Sequence, residues 1–232
     1  MLGFYFDPTY VLVLIGALLC IGASASMNST FQKYAGVRGL SGMTGAQAAS
    51  RILQASGIHD VRIEQVSGSL SDHYDPRNKV LRLSDSTYHS ASVAALGVAA
   101  HECGHAIQHN KGYLPLKLRS TLVPAANIGS KLGIPMVLLG VLLGLNGTLV
   151  QIGIWVFSLS VLFQLVTLPV EFNASSRALV MLESCGITGG QETKYCKKVL
   201  TAAALTYVAA AASSILQLLR LVLLFGNRRN ND

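Results

Sequence analysis

The chain has 232 residues, of which 51% are hydrophobic and only 12% are charged, and its formal net charge is +7. A water-soluble domain carries roughly 25% charged residues, so this composition excludes an ordinary soluble protein. The positive charges are not gathered into an arginine-rich stripe. We therefore interpret them as determinants of membrane topology and lipid-surface contact, and we expect no nucleic-acid partner.

Three long tracts contain no Asp, Glu, Lys or Arg: residues 8–32, 132–170 and 199–219. The middle tract has 39 residues, which is enough for two membrane spans of about 20 residues each. Asn146-Gly147-Thr148 near its centre is typical of a turn. The sequence predicts about four transmembrane helices, near 8–26, 132–147, 149–170 and 199–225.

The first tract has two other readings, a secretory signal peptide and a lipoprotein signal. Ala23-Ser24-Ala25 resembles a cleavage site, but residues 1–7 contain neither Lys nor Arg, which a signal peptide normally carries before its apolar core. Cys20 lacks the preceding small residue that lipoprotein processing needs. We expect this segment to be retained as an anchor.

The polar residues after the first span predict a small mixed domain. Thr44 and Gly57 are typical of a helix start and a helix stop. Residues 61–66 and 79–84 favour strands, with a turn at 75–78 between them. These strands either border a substrate cleft, where an extended peptide adds to the sheet edge, or only cover the helix that follows.

That helix carries the motif His101-Glu102-Cys103-Gly104-His105. Positions four apart lie on one helix face, so His101 and His105 can share a metal ion, and Glu102 can act as general base on a water. We expect Ser86 or Ser90 as the N-cap and residues 110–112 as the stop. Chance is the alternative, but two histidines and a glutamate in an otherwise apolar helix are costly to bury without a shared role.

Cysteine chemistry adds little to this site. Cys103 occupies a variable position of the motif, so we expect it to be a small packing residue. The four cysteines form no CxxC pair and no regular framework, so disulfides are not implied.

A catalytic zinc site usually has three protein ligands and one open position. His109 would not converge with His101 and His105 on a straight helix, and Gln108 and Lys111 break the longer pattern HExxHxxGxxH. Glu171 is the remaining candidate, because a hairpin of spans two and three returns the chain to the same membrane face. Glu183 is the backup. The alternative is that Glu171 has no ligand role and is an ordinary carboxylate opposite Arg177 at the membrane boundary.

Two segments carry a family resemblance: residues 99–109, which contain the HExxH motif, and residues 168–178, which contain Glu171-Phe172-Asn173-Ala174. Together they resemble the bacterial neutral zinc metallopeptidases, the YugP-like membrane peptidases, and more distantly the HtpX and CAAX-prenyl-protease group of gluzincins. The order of spans agrees, so the resemblance covers nearly the whole chain. It implies a small α+β zincin-like catalytic domain at the membrane surface of a mainly α, integral-membrane fold.

One position departs from the HtpX-like pattern, in which an Asp four residues after the ligand Glu braces a zinc-bound His. Ser175 stands there. The bracing group is then Ser175, the Asn173 amide, a backbone carbonyl or a group that the sequence does not reveal. The residue that would stabilise the oxyanion is also not fixed by the sequence; the candidates are Tyr207, His89, His73 and Arg177.

We therefore predict a membrane zinc endopeptidase with one Zn²⁺ per chain, held by His101, His105 and Glu171, with Glu102 as catalytic base. Its partners are a peptide or protein substrate and the bilayer, and its active site faces the cytoplasm. The alternative is a non-catalytic scaffold or sensor that retains a zinc site. A metal transporter is a weaker alternative, because the predicted spans contain no His, Asp or Glu.

The predicted organisation is an anchor at 1–26, the catalytic segment at 27–131, a membrane hairpin at 132–170, the third-ligand helix at 171–198, a fourth span at 199–226 and a polar tail at 227–232.

Overall fold

The structure is a computed structural model that describes residues 7–144 and 146–226. The polar tail predicted at 227–232 lies outside these residues. The described chain is mostly helical with one small sheet, which confirms the predicted fold class. Its elements in chain order are α1 (Tyr10–Ala35), α2 (Gly45–Ala55), β1 (Arg62–Val66), β2 (His73–Asp75), β3 (Val80–Ser84), α3 (Asp85–Tyr88), α4 (Val93–Asn110), α5 (Leu114–Leu142), α6 (Gly147–Ser184) and α7 (Gln191–Phe225).

Four of the described helices, α1, α5, α6 and α7, are long and apolar enough to cross a membrane. Each is longer than the roughly 20 residues that a bilayer requires, and each continues past its charge-free tract. Hydropathy marks only the apolar part of a helix, whereas the helical hydrogen bonds continue into polar sequence. The turn expected at 146–148 is shifted, because Asn146 caps α6 by accepting a hydrogen bond from the Leu149 N–H at 3.0 Å.

One compact unit contains the described parts of residues 1–23, 118–168 and 206–232. Glycines allow α5 and α6 to approach closely in it. A Cβ added to Gly133 would lie 2.6 Å from Phe157 Cβ, and one added to Gly129 would lie 2.6 Å from the Val156 carbonyl oxygen. Gly129 and Gly133 are four residues apart, the small-xxx-small spacing that brings membrane helices together.

Arg220 lies in the apolar part of α7, where a charged side chain is costly without a partner. Its Nη2 donates to Asp7 Oδ2 at 3.1 Å, and its guanidinium lies 4.1 Å from the centre of the Tyr10 ring. The side chain is only 14% exposed. Arg220 therefore faces protein, and this contact lowers the cost of a charge in a helix that spans a membrane.

The second compact unit contains residues 24–117 and 169–205. Its sheet has the order β1-β3-β2, with β1 parallel and β2 antiparallel to β3. The sequence predicts β1 and β3 to within one residue but not β2, whose three residues are too few for an alternating pattern. The sheet, α2 and the buried face of α4 share one hydrophobic core, in which Ile52, Leu83 and Leu96 are fully buried.

Local capping explains where two helices of this unit begin. Thr44 caps α2 in a reciprocal capping box with Gln47, as predicted. The N-cap of α4 is Ser92, whose Oγ accepts from the Ala95 N–H at 3.2 Å, so the expectation of Ser86 or Ser90 is wrong. Ser86 lies inside the one-turn helix α3, and Ser90 instead hydrogen-bonds Ser92. The predicted stop is confirmed, since α4 ends at Asn110.

Candidate metal centre

The helix α4 holds both motif histidines in the core of the second unit. Residues 93–100 of this helix are all buried, which fixes its position against its neighbours. His101 and His105 follow one turn apart, with ring centres separated by 4.8 Å and planes at 85°. The apolar first half of the helix thus orients the polar second half.

The C-terminal half of α6 packs against α4 at a point where both helices carry small residues. Gly104 faces Ala174, which is fully buried. A Cβ on Gly104 would lie 2.5 Å from the Ala174 carbonyl oxygen, far below van der Waals contact. Glu171 lies one turn before Ala174, so this approach carries its carboxylate to the histidines.

Three ligand atoms converge as a result. Glu171 Oε2 lies 3.2 Å from His101 Nε2 and 3.5 Å from His105 Nε2. Among the residues that the structure describes, His101, His105 and Glu171 form a group whose candidate ligand atoms all lie within 4.8 Å of one another. Glu171 is only 2% exposed. These are the three residues that the sequence analysis selects as metal ligands.

Gln108 orients His105. It is fully buried, and its Nε2 donates to the Val170 carbonyl at 2.8 Å and to Asn173 Oδ1 at 3.0 Å. Its Oε1 therefore faces His105 Nδ1, at 3.0 Å. An amide oxygen can only accept, so Nδ1 of His105 carries the proton and Nε2 presents its lone pair toward Glu171.

Ser175 occupies the corresponding position beside His101, with Oγ 3.1 Å from His101 Nδ1. Ser175 thus makes the contact that an Asp makes in the HtpX-like pattern. The Asn173 amide acts one step further away, because it accepts from Gln108 and also from Arg177 Nε at 2.7 Å. The sequence analysis names Ser175 and Asn173 as candidates but misses Gln108.

The chemistry of these atoms fits a metal cation. With its Nδ1 proton directed at Gln108, a neutral His105 places an imidazole lone pair 3.5 Å from a carboxylate oxygen. Two acceptors at that distance repel unless a proton or a cation lies between them. Two imidazoles and one carboxylate are a ligand set that zinc favours.

Glu102 lies next to His101 on α4 and is 8% exposed. Within residues 7–144 and 146–226, its carboxylate makes no hydrogen bond or ion pair with another side chain. Within these residues, the carboxylate of Glu102 is therefore not committed to another side chain.

Several other candidates lie outside this group. Cys103 is buried beside the Ala49 carbonyl, and burial raises the pKa of its thiol well above the ordinary value, so it packs rather than ligates. Glu183 is exposed near the end of α6. His109 hydrogen-bonds Tyr74 Oη through Nδ1 at 2.9 Å and does not converge with the other histidines.

The oxyanion candidates in the second unit also have other contacts. His73 and His89 bond to Ser71 and Gln65, and Arg177 bonds to Asn173.

Comparison with known proteins assigns this chain to a family. The family described as "Putative neutral zinc metallopeptidase" matches residues 9–226. The chain belongs to this family. It is also 47% identical to the "Putative membrane protease YugP" of Bacillus subtilis (strain 168) over 224 residues, 96% of this chain and 99% of that protein. No solved structure matches.

Membership in the zinc metallopeptidase family supports a protease function and makes Zn²⁺ the cofactor of the chain. The membrane-protease relative and the four apolar helices support a location in the membrane. The substrate is accordingly a peptide or protein, and the bilayer is a second partner. The resemblance stated from the two motif segments is confirmed.

Proposed function

We propose that this chain is an integral-membrane zinc endopeptidase in which His101, His105 and Glu171 hold the metal and Glu102 is the general base. One observation supports this most strongly: Nε2 of both histidines lies within 3.5 Å of the same Glu171 oxygen, while both Nδ1 atoms are engaged by Ser175 and Gln108. The hydrogen bonds at Nδ1 thereby orient both imidazoles, so that each Nε2 atom faces the place where the metal would bind.

Zinc bound at this group would supply a Lewis acid that activates a water and polarises the scissile carbonyl. Glu102 then accepts the proton of the attacking water as the new C–O bond forms. When the peptide C–N bond breaks, Glu102 transfers that proton to the leaving amine. Gln108 and Ser175 hold the two imidazoles throughout.

The sheet offers a place for an extended substrate. Within the described chain, β2 pairs only with β3, so its other edge is available for a further strand. The hydrogen bond between Tyr74 of β2 and His109 ties this strand to the catalytic helix α4. Burial, and then the charges of Asp60 and Asp75, raise the pKa of Tyr74 to about 12, so its phenol is protonated at physiological pH.

The alternative is a scaffold or sensor with a structural zinc. Structural zinc sites are normally closed by four protein ligands, whereas catalytic sites keep one position for water. The ligand group found in the described residues has three members. This count favours catalysis.

We also propose that the active site faces the cytoplasm. With four spans, both termini share one side of the membrane and the catalytic segments share the other. The catalytic side carries most of the Lys and Arg residues near the spans, and such an excess marks cytoplasmic segments.

The decisive comparison for the function is wild type against Glu102→Gln, with peptide termini mapped by mass spectrometry after incubation with membrane proteins. Both proteins should contain zinc, and only the wild type should create new termini. Phenanthroline should abolish cleavage and added zinc should restore it, whereas serine- and cysteine-protease reagents should have little effect. Equal cleavage by Glu102→Gln would exclude Glu102 as the base. Zinc-loaded wild type that cleaves nothing would favour the scaffold.

A further inference from the structure

The second compact unit, which we call the catalytic unit, has a concave surface with no role in the proposed reaction. This surface is a groove of about 610 Å³ between the C-terminal end of α1 and the N-terminal end of α7. This volume is in the range of ligand pockets, roughly 300–1,000 Å³. We call it the lysine groove, and its lining includes Lys33, Lys194, Lys197 and Lys198.

The positive charge of the lysine groove is not neutralised by protein. No Asp or Glu lines it, and within the described part of the chain none of its four lysines forms an ion pair. The nearest acidic side chain in sequence, Glu192, is 9% exposed and accepts a hydrogen bond from the Leu40 N–H at 2.7 Å. Four uncompensated ammonium groups around one cavity attract an anion.

Both walls of the groove change polarity in the same order. On α7, Lys194 and Lys198 are followed by the hydroxyl of Thr201 and then by Leu205, all at helical spacing on one face. On α1, Lys33 is preceded by the hydroxyls of Thr30 and Ser26. The α7 wall therefore changes from lysines through a hydroxyl to an apolar side chain, and the α1 wall changes from a lysine to two hydroxyls.

The cationic end of the groove also lies where two of the charge-free tracts, residues 8–32 and 199–219, meet polar sequence. Lys33 is the first charged residue after the apolar tract of α1, and Lys198 is the last before the apolar tract of α7. Clusters of lysine directly beside a membrane span bind anionic lipids. The stacked rings of Tyr34 and Tyr195, whose centres are 5.0 Å apart, join the two helices at this level.

We propose that the lysine groove binds the headgroup of an anionic membrane phospholipid. Its phosphate would lie among the four lysines, its glycerol esters near the hydroxyls of Thr30 and Thr201, and the start of an acyl chain beside Leu205. The excess of ammonium groups selects a headgroup without a compensating cation, because a choline group would be repelled. This inference is independent of proteolysis, and a binding measurement tests it without an active enzyme.

The test measures lipid affinity of the detergent-purified full chain by native mass spectrometry and by thermal shift. Phosphatidylglycerol is the probe, and phosphatidylcholine and inorganic phosphate are the comparison ligands. Wild type should bind phosphatidylglycerol at least tenfold more tightly than phosphatidylcholine. The triple variant K194Q/K197Q/K198Q should bind it about a hundredfold more weakly than wild type, since each juxtamembrane lysine contributes about a fivefold increase in affinity.

The matched control is R51Q/R62Q/R77Q, which removes the same charge from exposed positions elsewhere in the catalytic unit. It should retain wild-type affinity, and all variants should retain zinc, which reports an intact fold. Lys33→Glu tests the opposite wall independently and should weaken binding at least tenfold.

Equal losses in the two triple variants, unchanged binding in Lys33→Glu, or equal affinities for the two lipids would each overturn the proposal. A stabilisation by inorganic phosphate as large as that by phosphatidylglycerol would assign the groove to free phosphate instead.

Discussion

Gly104 of α4 lies so close to Ala174 of α6 that a single added Cβ would be 2.5 Å from the Ala174 carbonyl oxygen. The two residues belong to the two motif segments, and neither has a functional group in its side chain. Their contact sets the distance between the helix that carries His101 and His105 and the helix that carries Glu171. The spacing of the candidate ligands thus depends on two small residues.

Substitution of Gly104 by Ala should therefore reduce zinc affinity without removing a ligand. The added methyl forces α4 and α6 apart, and overpacking of this kind costs about 1–3 kcal/mol. Zinc content after dialysis and the thermal unfolding temperature would measure both effects.

Gly97→Ala is the matched control in the same buried helix. A Cβ at Gly97 would meet Cys196 Cβ at 3.5 Å, an ordinary contact. This variant should keep its zinc and should not be destabilised, since Ala favours a helix interior over Gly by up to about 1 kcal/mol. If both variants behaved alike, the close approach at Gly104 would have no special role.

Gln108→Leu should weaken zinc binding about ten- to a hundredfold. The leucine cannot accept the His105 Nδ1 proton, so the imidazole loses its fixed orientation, and the Val170 carbonyl loses a donor. Competition with a chromogenic chelator would measure the affinity. Gln54→Leu is the control, because the Gln54 side chain is exposed and hydrogen-bonds the neighbouring Ser50 side chain. Unchanged zinc affinity in Gln108→Leu would show that this bracing is dispensable.

Membrane topology can be tested with reporters inserted near Asn110 and fused after the C-terminus. The proposed topology, with the spans predicted from the sequence, assigns nine cationic residues to the catalytic side: Lys33, Arg38, Lys117, Arg119, Lys131, Arg177, Lys194, Lys197 and Lys198. The other side has Arg228 and Arg229, with none in residues 1–7 or 146–148. The Asn110 reporter should be cytoplasmic and the C-terminal reporter external.

The contact of Arg220 with Asp7 and Tyr10 supports a fourth span in this scheme, since it gives the buried charge a partner. Reporters on the same side would remove that span. An external Asn110 reporter would place the active site outside the cell.

The sequence predicts those parts of the fold that depend on periodicity and charge. HExxH spacing places His101 and His105 on one face, and charge-free tracts mark the four apolar helices. Glu171 follows from the return of a membrane hairpin. These signals are local, or they follow from chain connectivity.

Features that depend on three-dimensional packing were not predicted. In the sequence, the distinguishing feature of Gln108 is that it occupies the glycine position of the HExxHxxGxxH pattern. Its hydrogen bond to His105 depends on the nearby Val170 carbonyl and Asn173, which orient its side-chain amide. Ser92, rather than Ser86 or Ser90, caps α4, because a separate one-turn helix takes up residues 85–88. The strand β2 is too short for a pattern and forms by pairing with β3.

The central claim is that Glu171 completes a zinc site with His101 and His105, and the zinc content of purified Glu171→Ala tests it most directly. Elemental analysis should find about one zinc per chain in wild type, and Glu171→Ala should lose most of it, as should His101→Ala and His105→Ala. Glu183→Ala, which removes an exposed carboxylate from the same helix, should retain the wild-type amount. Full zinc in Glu171→Ala, or loss of zinc in Glu183→Ala instead, would contradict the account.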